Sequence, residues 1–216
     1  MSAVWITLSR FPLLLLSVLT LYFGSPAAQL GGTALLFAGL LLDTVDGVVA
    51  RRTGQTSLFG GVLDIAADRT YELVLWVGFA DLGLIPPWIP MLILVRTTLT
   101  DAFRSVGVRQ GVAPFDQQTG ALGRFLVASP AMRIGYSVSK VATFCGLPLM
   151  RALGALPAGA ATHRILPALE VLVPVALYAA VALCLLRGLP VILGVPRRWS
   201  PALGPSPAEL TPDTET

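Results

Sequence analysis

Apolar residues run through this chain in six long blocks, near residues 4–23, 30–51, 59–81, 88–108, 134–154 and 166–189. Each block approaches the roughly 20 residues that a helix needs to cross the hydrocarbon of a bilayer. The pattern predicts an all-α, polytopic membrane protein with six transmembrane helices. Between the blocks lie turn-forming stretches, "GSPAAQLGG" (24–32), "GLIPPW" (83–88) and "PAGAATH" (157–163). The longest polar excursion is 104–133. From Ser200 onward the chain is rich in Pro, Ser and Thr, a composition that cannot bury a core. The expected organisation is one six-helix domain over 1–199, followed by a disordered cytoplasmic tail over 200–216.

Composition supports this reading. Only 12% of the 216 residues are charged, and mean hydropathy is +0.76; soluble domains carry about 25% charged residues. Arg10 interrupts the first block and no small-residue cleavage site follows it, so that block reads as a span rather than a signal peptide. A net charge of +3 would by itself suit nucleic acid, but the arginines are distributed by side. With the 51–58 turn facing the cytoplasm, Arg51, Arg52, Arg104, Arg109, Arg124, Arg133, Arg197 and Arg198 share that face, leaving Arg151 and Arg164 opposite. This is the positive-inside bias of an inner-membrane protein, with both ends cytoplasmic and no nucleic-acid partner. His163 is the sole histidine, which excludes a His-rich metal site. Cys145 and Cys184 fall in apolar blocks and read as small hydrophobes.

Against this background, four acids stand close together. Asp43 and Asp46 are three apart at the cytoplasmic end of the second block, and Asp64 and Asp68 are four apart at the start of the third. Each pair shares a helix face. The polar segment 52–58, with Gly54, can turn the chain back and bring both pairs to one depth, lining a polar cavity on the cytoplasmic side. Four adjacent carboxylates cannot all stay ionised without counter-charge. Two divalent cations would supply it, and hard oxygen ligands favour Mg²⁺ or Mn²⁺. Neutralisation of Arg51, Arg52 and Arg69, or an ion pathway in a cation-binding transporter, would also explain intramembrane acids. Spacing alone leaves the choice open.

The residues around the acids narrow it. Asp43, Asp46, Gly47, Ala50, Arg51, Gly60, Asp64 and Asp68 spell D-x2-D-G-x2-A-R-x8-G-x3-D-x3-D. Every position and gap matches the signature of the CDP-alcohol phosphotransferase family, and the six-block layout is similar as well. The resemblance implies phospholipid biosynthesis by a homodimeric membrane enzyme that transfers a phosphatidyl group from CDP-diacylglycerol to an alcohol and releases CMP. It also implies that Asp43, Asp46, Asp64 and Asp68 hold two metal ions and that Asp68 serves as general base. Gly47, Ala50 and Gly60 would make room for cytidine, and Arg51 would contact the donor diphosphate.

For the acceptor, the stretch "LILVRTTLTDAFRSVGVRQG" is similar to a helix of bacterial phosphatidylglycerolphosphate synthases with two arginines eight apart, here Arg96 and Arg104. Two turns separate them, so they face the same way. Arg133 and Lys140 would complete a basic pocket for a phosphorylated acceptor such as glycerol 3-phosphate. A bland alternative pairs Arg96 with Glu72 and Arg104 with Asp101. Thr7 and Arg10 fill part of a Pro-Asn-x-x-Thr-x-x-Arg pattern of the same enzymes, with Ala3 and Val4 in place of Pro and Asn. Thr97 stands where those synthases place Glu. These departures leave inositol phosphate and phosphatidylglycerol open as acceptors.

Overall fold

The computed structural model describes residues 3–53, 58–109, 125–126, 129–157 and 159–193. The tail over 200–216 and the centre of the 104–133 excursion lie outside them. Six long helices make up the described residues: α1 (Ala3–Phe23), α2 (Pro26–Thr53), α3 (Leu58–Asp81), α4 (Trp88–Arg109), α5 (Pro130–Gly154) and α6 (Ala160–Leu193). Each apolar block of the sequence is one helix.

The helix ends show local chemistry that hydropathy does not register. The expected 24–32 break shrinks to Gly24–Ser25. Ser25 caps α2, its Oγ accepting the Ala28 N–H at 3.3 Å, and Pro26 follows at the first helical position, where no N–H is needed. Gln29 turns back to donate from Nε2 to the Gly24 carbonyl at 3.2 Å. The Ser129–Pro130 pair stands at the start of α5, again ahead of the apolar run. At the far end of α3, Gly83 adopts φ +69°. Leu84 N–H reaches the Phe79 carbonyl at 2.8 Å and Gly83 N–H the Ala80 carbonyl at 3.0 Å, a Schellman closure that needs the left-handed residue.

Among the described residues, one helix is long and apolar enough to cross a membrane by itself: Arg164–Leu193, with mean hydropathy 2.4. Thr7–Phe23 and Pro26–Leu42 are shorter apolar stretches. Elsewhere acids and arginines interrupt the run, including Asp64, Asp68, Arg69 and Glu72 in α3 alone.

Two compact units divide the chain, Met1–Leu94 with Ile134–Cys184, and Val95–Arg133 with Leu185–Thr216. In the first, Trp76 and Phe79 of α3 meet Phe144 of α5 edge-on, at ring distances of 5.0 and 6.0 Å. Gly146 lets α5 approach α6, since a Cβ there would lie 2.6 Å from Val173 Cγ2. The core of this unit is apolar, with Leu36, Leu75, Trp76 and Phe144 buried, but it takes in polar side chains as well. Thr7, Arg10, Ser17, Gln29, Glu72 and Thr143 are buried, whereas Leu15, Val62, Ile65, Val171 and Leu172 are exposed. Ser17 and Thr143 hydroxyls turn onto carbonyls of their own helices, which satisfies them without water. Polar groups inward and aliphatic groups outward is the arrangement a lipid environment favours.

Candidate functional site

The first three turns of α3 past Gly60 present Asp64, Asp68 and Glu72 at i, i+4 and i+8, one stripe of acids on one face. Exposure falls along the stripe: the side chains of Asp64 and Asp68 are 52% and 49% exposed, that of Glu72 only 4%. Two different cationic neighbourhoods serve the two ends.

At the upper end the partner is Arg10 of α1. Its guanidinium, 1% exposed, places Nη1 3.6 Å from Asp64 Oδ1 and donates from Nη2 to Asp68 Oδ1 at 3.2 Å. Three helices fix that arginine. Tyr71 of α3 lies under it, ring centre 5.1 Å from Cζ, and its hydroxyl donates to the Arg10 carbonyl at 2.6 Å. Gly39 of α2 leaves the space that Tyr71 fills, because a Cβ there would lie 2.6 Å from the phenol oxygen. Among the described residues, Oδ2 of each aspartate has no protein donor. Two half-exposed carboxylates on one face, each with an oxygen that has no donor among the described residues, are oxygen ligands of the kind hard divalent cations take, although the described residues hold no group of three such ligands. The side chains of Asp43, Asp46, Gly47, Ala50 and Arg51 lie outside the described residues, although α2 carries their backbone through as helix.

At the lower end Glu72 is engaged on both oxygens. Tyr136 of α5 donates to Oε1 at 2.5 Å, Arg69 sits 3.2 Å from Oε2, and Lys140 of α5 lies 4.0 Å from the same atom. Lys140 Nζ also stands 5.4 Å from the Tyr136 ring centre. Glu72, which the sequence offered as a partner for Arg96, is therefore occupied within its own unit. Acids of α3 do neutralise arginines: among the described residues Arg69 pairs with Glu72, and Arg10 with Asp64 and Asp68, while the Arg51 and Arg52 side chains lie outside them.

In the second unit Arg96 of α4 packs its stem on Gly188 of α6. Its Nε is buried with no hydrogen-bond partner among the described residues, and the same holds for Thr97 Oγ1. Arg133 is exposed near the start of α5, and the Arg104 side chain lies outside the described residues.

Beside the acid stripe, Phe11, Pro12, Leu14, Leu15, Val18 and Val74 line an open apolar groove of about 480 Å³ between α1 and α3. It begins one residue past Arg10. Neither the groove nor the Arg10 and Glu72 partnerships is visible in local sequence. The one available signal was an arginine inside an otherwise apolar first block, which has to find an acid somewhere.

Residues 1–186 match the CDP-alcohol phosphatidyltransferase family. Over 112 residues the chain is 31% identical to a probable phosphatidylglycerophosphate synthase of Mycobacterium tuberculosis, covering 50% of this chain and 54% of that protein. Over 119 residues it is 36% identical to a cardiolipin synthase (CMP-forming) of Streptomyces coelicolor, 54% of each chain. A shorter stretch of 51 residues is 43% identical to an archaetidylinositol phosphate synthase of Pyrococcus horikoshii, 24% of this chain and 27% of that one. The chain thus spans about half the length of the first two relatives. Because the family match takes in every position of the aspartate motif, from Asp43 to Asp68, and runs on through α5 and most of α6, the chain belongs to the CDP-alcohol phosphatidyltransferase family.

Proposed function

We propose that this protein transfers the phosphatidyl group of CDP-diacylglycerol to the hydroxyl of a phosphorylated alcohol, glycerol 3-phosphate, at the cytoplasmic face of a bacterial inner membrane. The observation that carries the reading is the complete motif in a member of this family, with Asp64 and Asp68 side by side on α3. All six helices span the bilayer in this reading, with a polar cavity on the cytoplasmic side, and the protein works as a homodimer.

In the reaction the acceptor oxygen attacks the β-phosphorus, the bond from that phosphorus to the bridging oxygen breaks, and CMP leaves. Two ions, Mg²⁺ or Mn²⁺, held by Asp43, Asp46, Asp64 and Asp68, would supply charge neutralisation for the diphosphate and the departing CMP. Asp68 takes the proton of the acceptor hydroxyl. Arg51 pairs with the donor diphosphate, while Gly47, Ala50 and Gly60 leave space for cytidine. One acyl chain of the donor lies in the apolar groove that starts beside Arg10. Arg96, Arg104, Arg133 and Lys140 are the cations proposed for the acceptor phosphate, and the Nε of Arg96, buried with no hydrogen-bond partner among the described residues, supports that role. The likeness to an archaetidylinositol phosphate synthase keeps inositol phosphate as the second reading, and that to a cardiolipin synthase keeps phosphatidylglycerol.

Purified protein incubated with CDP-diacylglycerol, Mg²⁺ and a panel of alcohols tests this directly. CMP and a new lipid should appear with glycerol 3-phosphate, and both should vanish in EDTA or in Asp68→Asn. Cation binding without CMP from any alcohol would point to a transporter instead. Arg104→Ala should raise KM for phosphorylated acceptors; an equal effect on plain alcohols would remove the basic pocket.

A further inference from the structure

Arg10 stands out as a buried cation that contacts the two described aspartates of the motif and belongs to none of the roles above. Its guanidinium touches one oxygen of each, Oδ1 of Asp64 at 3.6 Å and Oδ1 of Asp68 at 3.2 Å. The Tyr71 ring and hydroxyl hold the arginine from below, and at 1% exposure its charge is poorly screened by solvent. Two carboxylates one turn apart repel each other, and they are kept together here by a cation supplied by the chain itself.

We propose that Arg10 is a positioning residue acting as a resident counter-cation for Asp64 and Asp68. It orders the pair in metal-free protein, and its charge opposes a divalent cation at the same carboxylates, weakening the hold on the ion. This rests on the reading of Asp64 and Asp68 as metal ligands. The physical content is antagonism. A cation satisfied by carboxylates in the empty site loses part of that interaction when a second cation takes the same oxygens, so Arg10 and the metal each reduce the other's binding. A residue that merely packs α1 against α3 would stabilise the metal-free and metal-bound forms alike.

The test uses the full chain in detergent, without nucleotide, as wild type, Arg10→Lys and Arg10→Met. Mn²⁺ binding is followed by loss of the free-ion EPR signal, and thermal midpoints are taken in EDTA and in saturating Mg²⁺. Arg10→Met should bind Mn²⁺ roughly tenfold more tightly, since removing a charge a few ångströms away at low effective dielectric is worth at least that. Its midpoint should fall by about 5 °C in EDTA and by less than about half as much in Mg²⁺. Arg10→Lys keeps the charge and should bind Mn²⁺ nearly as wild type does. Where Arg10→Met does not fold, Arg10→Gln carries the same expectation, keeping a donor without the charge. Unchanged or weaker Mn²⁺ binding with equal destabilisation in both conditions would overturn the proposal while leaving the metal ligands in place. Wild type that binds no Mn²⁺ would overturn the metal assignment itself, and this inference with it.

Discussion

Gly188→Ala is a mutation on α6 whose effect should be read entirely through Arg96 of α4. A Cβ built at Gly188 lies 2.4 Å from Arg96 Nε, 2.9 Å from Cγ and 3.1 Å from Cδ, where ordinary contact begins at 3.4 Å. Nε must therefore retreat furthest, from 2.4 to at least 3.4 Å, and Cγ and Cδ must give way with it. The three atoms nearest that Cβ all belong to the flexible Arg96 side chain, so the backbone of α4 is not the part that yields. The side chain moves instead, carrying the guanidinium to another rotamer. A charge-assisted hydrogen bond contributes about 1.5–3 kcal/mol, so losing one to a phosphate corresponds to roughly a 10- to 100-fold rise in acceptor KM. Steady-state CMP release with glycerol 3-phosphate measures it, with glycerol as the unphosphorylated comparison and the thermal midpoint as a check on folding. Gly31→Ala is the control, since nothing lies within 4 Å of a Cβ there. An acceptor KM within twofold of wild type, in a variant whose midpoint is unchanged, would refute both the steric reasoning and the role of Arg96.

Three further expectations concern stability in detergent, read as thermal midpoints. Phe144→Ala removes the ring that Trp76 and Phe79 meet edge-on, at a cost near roughly 3 kcal/mol. The low end of the usual aromatic range applies because lipid offers little transfer term and the lost packing dominates; Phe144→Leu should recover most of it. Gly83→Ala forces a Cβ into φ +69° and should cost about 1–2 kcal/mol with kcat/KM unaltered. Glu72→Leu strips Tyr136, Arg69 and Lys140 of their shared acceptor and should cost about 1–3 kcal/mol. A midpoint equal to wild type would show that the cluster does not bind α3 to α5.

How much of this could be read from sequence depends on distance along the chain. The six helices were legible because each apolar block is local, and the Asp64–Asp68 pair because i, i+4 spacing is local too. Capping by Ser25 was legible in principle, but hydropathy counts neither the hydroxyl nor Pro26, so α2 was expected to start several residues late. Arg10 and Asp68 are 58 positions apart, and Glu72 and Tyr136 are 64 apart; no periodicity encodes such pairs. The Arg10 and Arg69 partnerships escaped the sequence differently: Arg10 meets acids far along the chain, whereas Arg69 meets Glu72 only three residues on. The six-span reading goes beyond the apolarity of individual helices, which only α6 carries without interruption.

The two-residue joint at Gly24–Ser25 bears on how the chain is built into a bilayer. So short a connection keeps α1 and α2 adjacent, and Gly32 against Thr20 lets the two associate as a close hairpin. That hairpin carries a guanidinium two of whose partners, Asp64 and Asp68, are encoded more than fifty residues downstream. Docking of α3 is what closes the Asp64 and Asp68 contacts, so this part of the arginine's environment is completed only once the third helix has been made.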